Sequence, residues 1–371
     1  MAAAPSPPVS LADYERLAQE RLSANAWAYL SGGAADEITV RWNRERFDRI
    51  ALVPRVLKPC GGGNTKVNLF GREYAHPIFI APVAHQKLAH ADGESATAMA
   101  ADAQDACMVL STLSSTLLED VASVGRTCHW FQLYLQPLRE ATLLLVRRAE
   151  AAGFEVLVVT IDAPIGGVRN REQRAGFALP PKAEPVNLRG IPVKPVPALA
   201  EGASAVFDHF MAQAATWEDI AWLRSQTQLP IVLKGILATD DADAAIAAGA
   251  NGIVVSNHGG RTLDTAIATI EALPEIAARV GGRIPILLDG GIRRGTDVLK
   301  AIALGASAVL VGRPIVYGLA VNGALGVSHV LRLLRDEFEI AMALTGCRAI
   351  AEIGPHLIRR QGLPQDRWPG K

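Results

Sequence analysis

The segment GIVVSNHGGRTLD, Gly252 to Asp264, ends a β-branched apolar run in serine, asparagine, histidine, two glycines, arginine and aspartate. Ile253, Val254 and Val255 in succession read as a strand covered on both faces, which belongs in a parallel sheet. Its polar ending then lies at the carboxyl edge, where barrels and open α/β sheets bind ligands. His258 can exchange a proton near neutral pH, and Arg261 can grip an oxyanion with a planar fork. A lone histidine after a strand is more often a structural hydrogen-bonding group, so a catalytic reading needs partners. Other strand-like runs offer them: Ser111 after MVL, Gln132 and Tyr134 in HWFQLY, Thr160 and Asp162 in VLVVTID, and Lys234 in PIVLKGI. Asp289, Gly290, Gly291 and Arg293 end IPILLDGGIR, and Gly312 with Arg313 ends AVLVGRP.

Eight such runs occur, starting at Ile78, Met108, His129, Val156, Pro230, Gly252, Ile284 and Ala308. Between most of them lies an Ala, Leu, Arg and Glu rich stretch with helical spacing, such as EATLLLVRRAEAAG or DADAAIAAGA. Eight β-α units in series specify an α/β fold of the (β/α)8 barrel type, a closed parallel barrel ringed by helices. The chain is expected to form one domain over 1–371: an N-terminal helical segment over 1–75, the barrel over 76–355 and a C-terminal tail over 356–371. Helical patterns at Leu11 to Leu30 and Asp36 to Phe47 read as a lid or plug on the barrel. The Pro-rich stretch from Leu179 to about Val206 lacks periodicity and reads either as a loop over the site's mouth or as a disordered excursion.

Composition excludes several classes. Lys plus Arg and Asp plus Glu are 37 each, so no global field draws the chain to nucleic acid or anionic lipid. The four cysteines, Cys60, Cys107, Cys128 and Cys347, show no zinc-type spacing, which argues against a metal centre or disulfide framework and for a reducing compartment. The first ten residues lack a signal peptide's basic and apolar regions, and the apolar stretch Ala301 to Gly312 is too short to span a bilayer. A cytoplasmic protein with no membrane partner is expected.

Glycine-rich turns after the last two strands, each with an arginine, are where barrels hold a phosphate. Ser111, Gln132 and Thr160 can hydrogen-bond an isoalloxazine, and Lys234 can place positive charge where a reduced flavin becomes anionic. A buried lysine there can also be a Schiff-base nucleophile or half of an ion pair. No strand-linked G-x-G-x-x-G points to a nicotinamide cofactor.

Taken together, SNHGGRTLD, LDGGIRRGTDV, VGRP, WFQLY and IAPVAHQKLAH closely resemble the FMN-dependent L-2-hydroxy acid oxidases and dehydrogenases, from about Tyr14 to Gly354. The resemblance implies FMN as cofactor, held by Pro82, Val83, Ala84, Ser111, Gln132, Thr160, Lys234, Ser256, Asp289, Gly290, Gly291, Arg293, Gly312 and Arg313. It implies oxidation of a 2-hydroxy acid to a 2-oxo acid, with His258 as base, Asp162 as its partner, and Arg169 and Arg261 as a carboxylate clamp flanked by Tyr29 and Tyr134. A planar fork facing a carboxylate fixes the α-carbon against the cofactor. Alanine at position 84 goes with oxygen-using members, so O2 is the expected acceptor and H2O2 the product; the alternative is a dehydrogenase feeding a quinone or other carrier. Relatives are commonly homotetramers or homo-octamers.

Four positions depart from the pattern. Thr262 stands for a glutamine, and His85, Leu113 and Gly166 stand where glycolate oxidase has methionine, an aromatic residue and leucine. Leu113 and Gly166 are expected to widen the space for the substrate's side chain, favouring larger acids over glycolate. Two competing readings, a type 2 isopentenyl diphosphate isomerase and a phosphate-binding scaffold without chemistry, leave the His, Asp, Arg and Tyr set without a use.

Overall fold

The computed structural model of the protein describes residues 7–125, 129–194 and 199–360. Three helices lead in: α1 (Leu11–Arg21), α2 (Ala24–Ser31) and α3 (Ile38–Asp48). The helical pattern from Leu11 to Leu30 is two helices, because Leu22 turns extended and the Ser23 hydroxyl caps a new start by accepting from the Ala26 N–H. Strands β1 (Ile50–Leu52), β2 (Val67–Leu69) and β3 (Arg72–Tyr74) follow, so the segment before the barrel is not helical alone.

The barrel strands are β4 (Ile78–Ile80), β5 (Met108–Ser111), β6 (His129–Leu133), β7 (Val156–Thr160), β8 (Ile231–Ile236), β9 (Gly252–Val255), β10 (Ile286–Leu288) and β11 (Ala308–Val311), one in each of the eight runs. Strand β11 pairs in parallel with β4, Val309 opposite Ile78, and closes the barrel. The helices around it are α4 (Gly93–Ala103), α5 (Leu118–Ala122), α6 (Arg139–Ala151), α7 (Asn170–Arg174), α8 (Trp217–Gln226), α9 (Thr239–Ala247), α10 (Thr269–Val280), α11 (Gly295–Ala303) and α12 (Arg313–Thr345).

Side chains alternate along each strand. Phe131, Leu157, Leu233 and Val255 pack outward under the helices, while Trp130, Val158, Val232, Val254 and Leu287 fill the interior. The amino-terminal end is plugged by the β2–β3 hairpin: Tyr74 accepts from Trp130 Nε1 at 3.1 Å, and Phe70 and Phe79 meet the indole edge-on. The carboxyl end is overlain by the α2–α3 connection, where the Ala34 and Ala35 N–H groups donate to Gly260 O and Val168 O at 2.8 Å. The leading segment thus serves both ends of the barrel.

Two sequence expectations are corrected and a third is narrowed. Residues 358–360, assigned to a tail, form β12 (Ile358–Arg360), antiparallel to β1, while 361–371 lie outside the described residues. Helix α12 is long and apolar enough to cross a membrane by length and composition, which the sequence reading did not find. Here 67% of its apolar window is buried, and it packs on α1, α4 and α11, bending at Asn322 and Gly323. The stretch after Leu179 is docked over its first part: Asn187 Oδ1 accepts from the Leu118 N–H at 2.9 Å, and His85 Nδ1 bonds Ala183 O at 2.7 Å. Residues 195–198 of that stretch lie outside the described residues.

Candidate active site

One step of two residues toward the barrel mouth changes the interior from apolar to polar. Val109 gives way to Ser111, Trp130 to Gln132, Val158 to Thr160, Val232 to Lys234, Val254 to Ser256 and Leu287 to Asp289. All six polar residues are buried. All of them except Ser256 floor a cleft that is also lined by Pro82, Val83, Ala84, Gly290, Gly291, Arg293, Gly312 and Arg313, and by Tyr29, Leu113, Tyr134, Arg169, His258 and Arg261. Asp162 and Ser256 stand behind it, bonded to His258 and Lys234. Leu30, Gly259, Ile292 and Val316 also line the cleft and were not anticipated. Gly166 does not line it: the residue is exposed, and a side chain there would meet open space. The void expected at that position is therefore absent. The glycine that matters is its neighbour Gly167, where a Cβ would fall 2.6 Å from Arg261 O. It lets the loop after β7 lie directly on the loop after β9.

His258 is set by a left-handed backbone, φ 55°, continued by Gly259 and Gly260 at 63° and 74°. Two glycines accept that conformation at low cost and leave the strain on the histidine alone. Its Nδ1 lies 2.7 Å from Asp162 Oδ1. Burial would raise the Asp162 carboxyl, but the Lys234 ammonium and the His258 hydrogen bond outweigh it and hold the group below the ordinary carboxylate range. An ionised Asp162 can only accept, so Nδ1 donates and Nε2 is the ring nitrogen left for the cleft. Burial, then the Lys234 charge, lowers the His258 pKa against the opposing pull of Asp162. The imidazole is neutral at pH 7 and can take a proton. Gly235 makes room for the partner: at φ 121° it has no Cβ to strike Asp162, which would lie 2.5 Å away.

Lys234 is buried and pairs with Asp289 at 3.2 Å while donating to Ser256 Oγ at 3.1 Å. Burial opposes its charge, yet Asp289 and Asp162 prevail and hold its pKa above the ordinary value. Arg261 donates through Nη1 to Tyr29 O and Gly32 O, both at 2.7 Å, and its guanidinium lies 5.0 Å over the Tyr29 ring. Arg169 Nε donates to Arg261 O at 2.9 Å. The two guanidiniums thus converge on one wall beside His258. Burial pushes the Tyr134 phenol up to about 12, so it remains a hydrogen-bond donor at any working pH.

At the glycine-rich end, Arg313 differs from expectation. Its three guanidinium nitrogens donate to Ser31 O, Gly259 O and Gly32 O at 2.7 to 3.1 Å, so the fork braces the leading segment over the barrel. Burial lowers its pKa to about 10, which still leaves it cationic at neutral pH. An anion here meets the charge of Arg313 and Arg293 and the main chain of the two turns, not an unengaged Arg313 fork.

The cleft fits a flavin. Gln132 Oε1 accepts from Ser111 Oγ at 3.1 Å and the Thr112 N–H at 3.3 Å, which turns Nε2 away, buried and without a partner. Asp289 Oδ1 is buried and unpartnered as well. Unsatisfied buried polar atoms are costly unless a ligand completes them. A flavin, with the carbonyls and ring nitrogens of its isoalloxazine and the hydroxyls of its side chain, would supply acceptors and donors of the kind they lack, and the lysine-bearing floor suits its negative charge on reduction.

The profile for the family described as FMN-dependent dehydrogenase matches residues 18–360. An L-lactate oxidase of Roseobacter sp. (strain GAI101) is 53% identical over 352 residues, covering 95% of both chains. An L-lactate oxidase of Nostoc sp. is 51% identical, over 94% of this chain and 97% of that one. Glycolate oxidase of Spinacia oleracea is 44% identical, over 92% and 93%. Among solved structures, a mandelate oxidase with (S)-2-phenylpropionate superposes with a TM-score of 0.86 at 44% identity, over 95% of this chain and 98% of that one. The chain belongs to the FMN-dependent dehydrogenase family.

Proposed function

We propose that this protein oxidises an L-2-hydroxy monocarboxylic acid of lactate size or larger to its 2-oxo acid. FMN-dependent oxidation of a 2-hydroxy acid with O2 follows from family and relatives; the alternative of a dedicated dehydrogenase is not favoured. The observation that carries the residue roles is the meeting, in one cleft, of a neutral His258 whose Nδ1 is held by Asp162, leaving Nε2 to accept, and two guanidiniums beside it. Arg169 and Arg261 hold the substrate carboxylate, Tyr29 and Tyr134 border it, and His258 Nε2 accepts a proton that leaves the substrate. Asp162 orients the ring and stabilises the imidazolium so formed. FMN, when bound, supplies the two-electron acceptor that these side chains lack.

The size preference rests on Leu113, which lines the cleft where glycolate oxidases carry an aromatic residue, and on the higher identity to proteins named L-lactate oxidase than to those named glycolate oxidase. We also read the chain as a cytosolic homotetramer or homo-octamer. The assembly is carried by the family resemblance alone, and light scattering decides its size. The test of function is anaerobic mixing of the yellow protein with L-lactate, D-lactate, glycolate and L-mandelate. Rapid bleaching by the L-acids, then one H2O2 per 2-oxo acid once air is admitted, is expected. A flavin other than FMN, or no bleaching by any acid, overturns the reading.

A further inference from the structure

Behind the two guanidiniums stands a carboxylate that the reaction itself does not require. Glu172 Oε1 accepts from Arg169 Nη1 at 3.0 Å and from Arg261 Nη2 at 3.2 Å. Its side chain is 15% exposed, as is that of Arg261, with Arg169 at 22%. Glu172 does not line the cleft, so it does not occupy the place of a substrate. The neighbouring Arg171 makes no demand on it, because that guanidinium is paired with Glu37 and the Ser31 hydroxyl.

Two like charges on one buried wall repel each other, and burial followed by the Arg169 charge already pushes the Arg261 guanidinium below its ordinary pKa. Arg261 is anchored through Nη1 to main-chain carbonyls, and Arg169 through Nε to the Arg261 carbonyl. These bonds locate the side chains but bring no negative charge. A single oxygen shared by both forks fixes their mutual angle and reduces the wall from two positive charges to one. One net charge matches one carboxylate.

We propose that Glu172 is the positioning residue of the carboxylate clamp, holding Arg169 and Arg261 in register so that the pair takes one carboxylate in one orientation. The proposal rests on the reading of those arginines as the clamp. It assigns no proton transfer to Glu172 and leaves the chemistry at His258.

The experiment compares an L-2-hydroxy acid with its neutral 2-hydroxy amide on the FMN-loaded enzyme, following kcat and KM by oxygen uptake. In Glu172→Gln the acid-over-amide ratio of kcat/KM falls roughly tenfold or more, through the KM of the acid, while the amide changes little. The Kd of the 2-oxo acid, read from the flavin absorbance shift, weakens in parallel. Glu172→Asp, which keeps the charge, recovers part of the ratio. General damage to the fold would depress both substrates together, so it does not imitate this split. If Glu172→Gln takes up no FMN, Glu172→Asp carries the test with a smaller drop in the same ratio. An unchanged or raised ratio in the folded variant overturns the proposal, a raised one meaning that net charge alone governs binding. Arg169→Lys is the control: if it too leaves the ratio unchanged, the error lies in the clamp reading and not in Glu172.

Discussion

Two layers of the barrel interior differ by one pleat and by almost everything else. Trp130, Phe79, Val158, Val232, Val254 and Leu287 form an apolar plug sealed by Tyr74; Gln132, Ala81, Thr160, Lys234 and Asp289, two residues further along the same strands, form the floor of the cleft, with Ser256 bonded to Lys234 behind it. The lower layer satisfies itself. The upper one leaves Gln132 Nε2 and Asp289 Oδ1 without partners and holds a buried ammonium between carboxylates. The fold thus places its stability and its chemistry on one scaffold without sharing residues between them, and damage to each layer should read out in a different measurement.

Trp130→Ala and His258→Gln test that division with the largest effects. Removing the indole leaves a cavity and strips the Tyr74 hydroxyl of its donor, at a cost of about 3–5 kcal/mol in stability. Denaturant unfolding of the FMN-loaded protein should show it, with kcat well below the midpoint close to normal. His258→Gln should keep FMN and the unfolding midpoint but slow anaerobic flavin reduction by roughly two to four orders of magnitude. Equal loss of activity in both variants, with equal loss of stability, removes the distinction between layers.

The next effect concerns protonation. Because burial and Lys234 lower the His258 pKa from 6.5, the ring is protonated only on the acid side of that value. Below its pKa it cannot accept a proton, so kcat/KM should rise with pH through a limb below 6.5 and then level off. Asp162 pulls the other way by stabilising the imidazolium. Asp162→Asn should therefore move the limb further toward acid and lower the plateau, since the amide neither holds the tautomer as well nor stabilises the charge. A limb above pH 7 in the wild type contradicts the neutral-base assignment.

How much of this could be read from the chain follows from the same two-residue period. The strands were legible because both faces of each run are apolar, and the floor because the polar residue at each run's end continues the inward face. Where no period applies, the reading failed or found nothing. Gly166 and Gly167 look alike as letters, and only the packing of two loops shows that the second is pressed against Arg261 O while the first faces solvent. Glu172 meets Arg261 across 89 residues of sequence, and although R-x-x-E next to Arg169 hints at an i,i+3 pair, nothing local announces the second arginine. Strands β2 and β3 are three residues each, too short for an alternation to show.

Leu113 lies at the border between what was read correctly and what was not, and its effect is the smallest. It lines the cleft as expected, but the companion space at Gly166 is missing, so of the two positions behind the expected preference for larger acids only Leu113 remains. Its main-chain carbonyl accepts from the His85 N–H at 3.1 Å, and the His85 ring meets Tyr29 edge-on, which fixes the wall on which it stands. A side chain held on such a wall cannot retreat easily when enlarged. Leu113→Trp should therefore fill the space beyond the α-carbon that a methyl group or longer chain occupies. Losing burial of one methylene equivalent is worth about 0.8 kcal/mol, so the ratio of kcat/KM for L-lactate over glycolate should fall roughly fourfold, and further for longer acids. The measurement is that ratio across a chain-length series, with glycolate as the internal reference because it has no side chain to exclude. If Leu113→Trp lowers glycolate and lactate alike, the residue shapes the clamp or the cofactor site, and the side-chain pocket lies elsewhere in the cleft.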